Sequence, residues 1–279
     1  MPGTAAIAGT GSPIVLLHGF PQTHLMWRHV AADVAADHTV IVPDLGGYGA
    51  SDKPADTDGS GYAKRTMAAD IVALARELGH DRFALAGHDR GALVAIRAGL
   101  DHPAAVTHLA SLDVLPTLDM WDVMRGVTAT VGFHLYLMAQ PPGLPEQLIA
   151  GSPDAFFGHF LDIWTRDTWT RGSEAIPPEI RAEYLRASRE AIPSIVADYR
   201  ASAGIDVEHD QADRAAGNKL RMPVTVLQQD WGAALGFDAE GLWRAWAQDL
   251  AHRTVPCGHF MAEEAPAEVV KELRALLAR

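Results

Sequence analysis

Gly87-His88-Asp89-Arg90-Gly91, set between an apolar run at 83–86 and a helix-like run at 92–100, decides how this chain is read. A strand, a sharp glycine-flanked turn and a helix is the arrangement that lifts a nucleophile above the end of a sheet. The apex here is aspartate, where a serine would usually stand. A serine at that place makes acyl enzymes from esters and amides. An aspartate attacking an ester carbonyl would give a mixed anhydride, a poor intermediate. Attack on an sp³ carbon instead displaces a leaving group and leaves an ordinary alkyl ester that water can hydrolyse. The apex residue therefore points to carbon–halogen or epoxide C–O cleavage. Taken alone, the pentapeptide also fits a helix N-cap, a position that favours aspartate.

Outward from the pentapeptide, short apolar runs at 14–17, 39–42, 82–86, 107–112 and 224–227 predict buried strands. Helical patterns occupy 25–36, 64–78, 92–100 and 241–250, and 263–278 closes the chain as a helix. Strands alternating with helices imply βαβ units and an α/β fold, a mostly parallel sheet flanked by helices. Such sheets place active sites beyond the carboxyl ends of their strands, where the candidate residues fall. The alternation stops between 115 and 217, which is rich in Trp, Met and Pro and holds no convincing strand. This predicts a helical cap, 115–217, inserted after the fourth recognisable strand, over a core made of 1–114 and 218–279.

Composition narrows the function. At 279 residues, 48% hydrophobic and 21% charged, the chain can bury one large core plus a cap. No apolar stretch approaches the ~20 residues of a membrane span, and the first residues lack the basic start of a signal peptide. A lone cysteine, Cys257, excludes an internal disulfide and suits a reducing cytoplasm. A formal charge of −12 argues against nucleic acid as a partner and disfavours long-range attraction of an anionic substrate. The thirteen histidines contain neither HExxH nor a Cys/His zinc spacing, so no metal or organic cofactor is implied. The expected partners are a small-molecule substrate and water, and a homodimer is left open.

Other motifs accompany the pentapeptide in a fixed order. They are His18-Gly19-Phe20-Pro21-Gln22, the hexapeptide 44–49, Leu112-Asp113-Val114-Leu115-Pro116, Ala139-Gln140-Pro141, Asp198-Tyr199-Arg200, Glu208-His209-Asp210 and Gly258-His259-Phe260. With them the chain resembles the nucleophilic-aspartate group of α/β-hydrolases over nearly its whole length. It most resembles the fluoroacetate (haloacetate) dehalogenases, with haloalkane dehalogenases and epoxide hydrolases as more distant relatives.

The site follows from residues and resemblance together. Asp89 would be the nucleophile. His259, ahead of the terminal helix, can reach it as general base for water, although a Gly-His dipeptide is by itself more often a plain loop. The base needs an acid partner. Asp113 at the end of the fourth strand and Asp230 after the fifth both qualify, and the resemblance favours Asp113. Backbone N–H groups of Arg90 and Phe20 would form the oxyanion hole. The resemblance makes His134 and Tyr199 donors to the leaving group and Trp164 a cavity wall. Without it, all three read as core packing. Arg90 is the candidate clamp for a substrate carboxylate, or else an arginine paired with a cap carboxylate.

Two positions depart from the family. It carries a second arginine three residues after the first, where this chain has Leu93, and a tryptophan after the cap histidine, where this chain has Leu135. A charged hydrogen bond is worth roughly 1.5–3 kcal/mol, so one missing arginine weakens haloacetate binding about ten- to a hundredfold. Overall likeness thus leads to dehalogenation of a small 2-haloacid, whereas these two positions lean toward epoxides or neutral halides. A binding protein on an inactive fold is disfavoured by the complete Asp89, His259 and Asp113 set. The short segment ahead of the first strand looks too short for the two antiparallel strands that the resemblance implies.

Overall fold

A computed structural model of the chain describes residues 4–56, 59–165, 174–229 and 235–279. Its sheet has seven strands: β1 (Ala5–Ala8), β2 (Ser12–Leu17), β3 (His38–Pro43), β4 (Phe83–His88), β5 (Val106–Leu112), β6 (Val224–Gln228) and β7 (Leu250–Thr254). Their order is β1-β3-β2-β4-β5-β6-β7, and every pairing is parallel except β1 with β3. The central strands read as continuous apolar runs because helices cover both faces of a parallel sheet, and β4 is buried at all six residues.

The expected α/β fold is present, with differences at the margins. One short antiparallel strand, β1, precedes β2. Three of its four residues are exposed, so it carries no apolar run to signal it. At the opposite edge, the helix expected over 241–250 is shorter, α11 (Ala239–Arg244), and Leu250 opens β7 instead. An edge strand that is half exposed leaves no run of buried side chains either. The terminal helix divides into α12 (Met261–Glu264) and α13 (Pro266–Leu277). Pro266 has no N–H to donate and disfavours helical geometry in Ala265, whose φ is −138°. The first helix starts as a 3₁₀ turn at His24–Trp27 before α1 (Arg28–Val34). α2 (Lys64–Glu77) and α3 (Arg90–Asp101) pack together, as do α1 and α13.

Between β5 and β6, every described element is helical: α4 (Thr117–Val123), a 3₁₀ turn at Gly126–Thr130, α5 (Phe133–Met138), α6 (Leu144–Gly151), α7 (Pro153–Ile163), α8 (Pro178–Glu190), α9 (Ile192–Ser202) and α10 (Ile205–Ala216). Pro145, Pro153, Pro178 and Pro193 sit in the first turns of α6 to α9, where the missing N–H has no intrahelical role. Gly217, at φ +70°, ends α10.

One feature of the sheet order positions the site. From β2 the chain moves outward to β3, then returns to lay β4 on the other side of β2. Loops leaving β2 and β4 therefore diverge, and a crevice opens between them at the strands' carboxyl ends.

Candidate active site

Asp89 stands alone between β4 and α3 with φ +48° and ψ −116°, a region that costs a non-glycine residue about 1–3 kcal/mol. Its flanking glycines are dictated by close approach. A Cβ on Gly87 would lie 2.3 Å from the Gly91 carbonyl oxygen, and one on Gly91 would lie 2.4 Å from that of His18. The N-cap alternative fails, because the Asp89 side chain makes no capping bond to α3. Its Oδ1 instead accepts the Phe20 N–H across the crevice at 2.8 Å. Arg90 is the first residue of α3, so its N–H has no intrahelical acceptor.

His259 Nδ1 lies 2.6 Å from Asp113 Oδ2, and its Nε2 lies 3.9 Å from Asp89 Oδ2 with no hydrogen-bond partner among the described residues. Main-chain bonds aim the imidazole. The His259 N–H donates to the Trp164 carbonyl at 2.7 Å, and His88 Nε2 lies 2.8 Å from the His259 carbonyl. Asp113 leaves β5 at φ +53° and accepts from the Gln229 N–H at 3.0 Å and from Gln229 Nε2 at 2.7 Å. The rival acid, Asp230, lies outside the described residues.

Electrostatics match this geometry. Burial pulls the His259 pKa down, but the hydrogen bond and charge of Asp113, with Asp89 and Glu264 behind them, more than reverse it, so the net shift is upward. Burial likewise raises Asp113, which its bond to His259 only partly offsets.

Above this trio lies a cavity of about 100 Å³. Asp89, His259 and Asp113 form its floor, and His134, Tyr199, Trp164 and Arg90 contribute to its walls. Leu93 and Leu135, the two departures from the family, line it as well, together with Met120, Met124 and Phe237. His134 Nδ1 and the Tyr199 hydroxyl are buried without a partner among the described residues. Burial, then the nearby charges of Arg90 and His259, lower the His134 pKa to about 3, so the ring is neutral. Burial, and next Asp89, hold the Tyr199 pKa well above its ordinary value, so it remains a phenol. The Phe20 ring stacks on His134 at 5.9 Å between centroids and meets Tyr199 and Trp164 edge-on. One residue thus supplies a backbone donor to the floor and a ring to the cap.

Arg90 corrects the expectation of a free carboxylate clamp. Its Nε and Nη2 grip the Asp198 carboxylate at 2.8 and 2.9 Å, and Nη2 also donates to the Asp198 carbonyl and to Ser202 Oγ. The alternative of pairing with a cap carboxylate is the one the structure adopts. Among the described residues no three His, Cys, Asp or Glu side chains converge as metal ligands.

The model of the alpha/beta hydrolase fold matches residues 12–131. A fluoroacetate dehalogenase of Burkholderia sp is 36% identical over 275 residues, covering 97% of this chain and 88% of that protein. The chain belongs to the alpha/beta-hydrolase fold family. A soluble epoxide hydrolase of Corynebacterium sp. (strain C12) is 33% identical over 268 residues, 94% of this chain and 89% of its own. A solved alpha/beta-hydrolase structure from Nostoc sp PCC 7120 superposes with a TM-score of 0.91 at 40% identity, covering 98% and 93% of the two chains.

Sequence reasoning missed several supports of this hydrolase's site. Gln229 follows the end of β6, yet a lone Gln carries no signal of its bond to Asp113. Glu264 brackets the histidine loop by accepting from the Gly258 and Phe260 N–H groups. Asp198 stands next to Tyr199 in a motif singled out for likeness alone. No described helix of the hydrolase is long and apolar enough to cross a membrane.

Proposed function

We propose that this hydrolase uses Asp89 as a nucleophile on a tetrahedral carbon, and that small uncharged epoxides are the substrates its cavity fits best. Oδ2 is the attacking atom, because Oδ1 is already held by the Phe20 N–H. Attack breaks the ring C–O bond, and the departing oxygen stays tethered to the substrate and takes a proton from the Tyr199 hydroxyl or its hydrogen bond with His134. The result is an ester between Oδ2 and the carbon. Water in the gap below His259 Nε2 then attacks the Asp89 carboxyl carbon, giving its proton to His259. The oxyanion forms on Oδ1, 2.8 Å from the Phe20 N–H, within the range useful for such a donor. Collapse breaks the bond between the carboxyl carbon and Oδ2, the leaving oxygen takes the proton held by His259 and departs as the diol's second hydroxyl, and the new carboxyl group, which carries a solvent oxygen, ionises and returns the proton that Tyr199 gave up.

The observation that carries the reading is the pair His134 and Tyr199, donors without a partner among the described residues, lining with Asp89 a cavity in which the one arginine among the described lining residues is gripped by Asp198. A second reading, dehalogenation of a small 2-haloacid such as fluoroacetate or chloroacetate, is favoured by two facts. Arg90 lines the cavity with its Nη1 outside the Asp198 clamp, and a fluoroacetate dehalogenase is 36% identical. Incubation with styrene oxide, propylene oxide, chloroacetate and fluoroacetate separates the two. Diol without halide is expected, and halide without diol would reverse the order. Single turnover in ¹⁸O-water is expected to label Asp89 in either case. An unlabelled Asp89 would remove the covalent mechanism itself.

A further inference from the structure

The Gly19–Phe20 peptide unit carries the donor to Asp89, and both of its ends are occupied. Its N–H meets Asp89 Oδ1 at 2.8 Å. Its carbonyl accepts the Gln22 N–H at 2.9 Å, which closes the turn 19–22. His18 Nε2 accepts the Leu45 N–H at 3.0 Å, leaving the ring proton on Nδ1, 3.1 Å from the same carbonyl. A peptide unit is planar, so whatever holds its carbonyl also fixes the direction of its N–H. Gln22 is in turn held by a distant segment. Its Nε2 donates to Oε1 of Glu263, a fully buried side chain on α12 just after His259, at 3.0 Å. The Tyr184 hydroxyl on α8 donates to the same oxygen, and Arg28 Nη1 on α1 reaches Oε2 at 2.7 Å. One turn further along α8, Ser188 Oγ donates to the Pro21 carbonyl at 3.1 Å. The loop after β2 is thus gripped between the cap and the short helix that follows the base.

We infer that Glu263 is a positioning residue for the oxyanion donor: it anchors Gln22, whose backbone N–H sets the Gly19–Phe20 peptide so that the Phe20 N–H points at Asp89. Hydrogen bonds to a carboxylate are shorter and stronger than neutral ones, and three donors from three segments converge on this one. The neighbouring Glu264 holds the Gly258 and Phe260 N–H groups on either side of His259. A single helical turn therefore sets both the base and, through Glu263, the donor around the Asp89 carboxyl. The donor matters most in the second half of the reaction. Attack on the substrate drains charge from the Asp89 carboxylate, whereas attack of water on the ester gathers charge on Oδ1. Loss of the anchor should slow ester hydrolysis and spare ester formation. The inference rests on the covalent mechanism through Asp89 and not on which substrate forms the ester.

Two readouts test it, one of them without turnover, in Glu263→Ala and in Gln22→Met. The second variant keeps the Glu263 charge and the size of the side chain, so it stands in where the first does not fold. By NMR, the Phe20 amide proton should move upfield and exchange with solvent at least about tenfold faster than in the wild type, while amides of β2 and β4 keep their protection. An unchanged Phe20 amide in Gln22→Met overturns the inference, and so does a loss of protection shared equally by β2 and β4, which would mark a merely structural role. By rapid quench, with whichever of styrene oxide or chloroacetate esterifies Asp89, ester decay should slow at least about tenfold and ester formation change less than about threefold. Equal slowing of both steps overturns it as well. A wild-type enzyme that forms no ester would sink the covalent mechanism, while the amide measurement would still report whether Glu263 sets the Phe20 N–H.

Discussion

At the scale of single residues, the proposed chemistry turns on the 3.9 Å gap between His259 Nε2 and Asp89 Oδ2. It is too wide for a direct hydrogen bond, which leaves the imidazole free to take a proton from water. Replacing His259 with Ala should stop the second half-reaction only, so the Asp89 ester should accumulate to one per enzyme and appear as a mass increase on the peptide carrying Asp89. The acid limb of ester decay has a defined sign. In the proposed mechanism His259 acts as a base when neutral, so decay should be fastest above its pKa and fall about tenfold per pH unit below it. In the free enzyme that pKa lies above 6.5, raised in part by the Asp89 charge. Esterification removes that charge. The limb measured by rapid-quench decay of the ester should therefore sit at lower pH than the titration of His259 followed by NMR in the free enzyme. Tyr199→Phe removes a donor from the place where oxygen charge develops, and ester formation from an epoxide should slow about 10²–10³-fold. An unchanged rate would transfer the role to His134.

At the scale of elements, the turn from β4 into α3 was legible because its constraints are local. Gly87, Asp89 and Gly91 are fixed by backbone contacts within the turn and with the neighbouring strand. A Cβ on Gly91 would meet the carbonyl oxygens of His18 and Leu17 at 2.4 and 2.6 Å, and neither can move without shifting β2. Gly91→Ala should cost about 1–3 kcal/mol in urea unfolding and most of the activity. Central strands β2, β4 and β5 were equally visible, since burial on both faces writes a continuous apolar run. Edge strands β1 and β7 were not, because one half-exposed strand of small or polar residues resembles a loop or a helix end. The break at Pro266 shows the converse case: the signal was present, but helical periodicity on both sides of it outweighed a single residue.

At the scale of the whole molecule, buried ion pairs tie the cap to the core. Arg97 on α3 reaches Asp210 at 2.7 Å and Asp213 at 2.5 Å on α10, and Asp101 on its own helix at 3.2 Å. Removing the arginine would leave the carboxylates of Asp210 and Asp213 facing each other without their shared buried cation, while Asp101 keeps Arg65. Arg97→Met should destabilise the fold by about 3–5 kcal/mol, read as a lower urea midpoint. A change below ~1 kcal/mol would mean that this attachment is carried by apolar packing. The aromatic cluster around Phe20 is the second attachment, and it joins the loop after β2 to His134, Phe160 and Trp164 on the cap.

By itself the sequence determined the α/β alternation and the glycine-flanked turn with aspartate at its apex, and it singled out Asp89, His259 and Asp113, which the fold brings together, because periodicity, backbone sterics and side-chain type are properties of short stretches. Tertiary structure alone decided which protein group Arg90 pairs with. The sequence offered a substrate carboxylate or a cap carboxylate as its partner, and the cap contact depends on Asp198 arriving 108 residues later in the chain beside it. The same holds for Gln229, Glu264 and the hydroxyl of Tyr199, which has no partner among the described residues. Whether a polar group is satisfied or left over is settled only when distant segments meet in a low-dielectric interior.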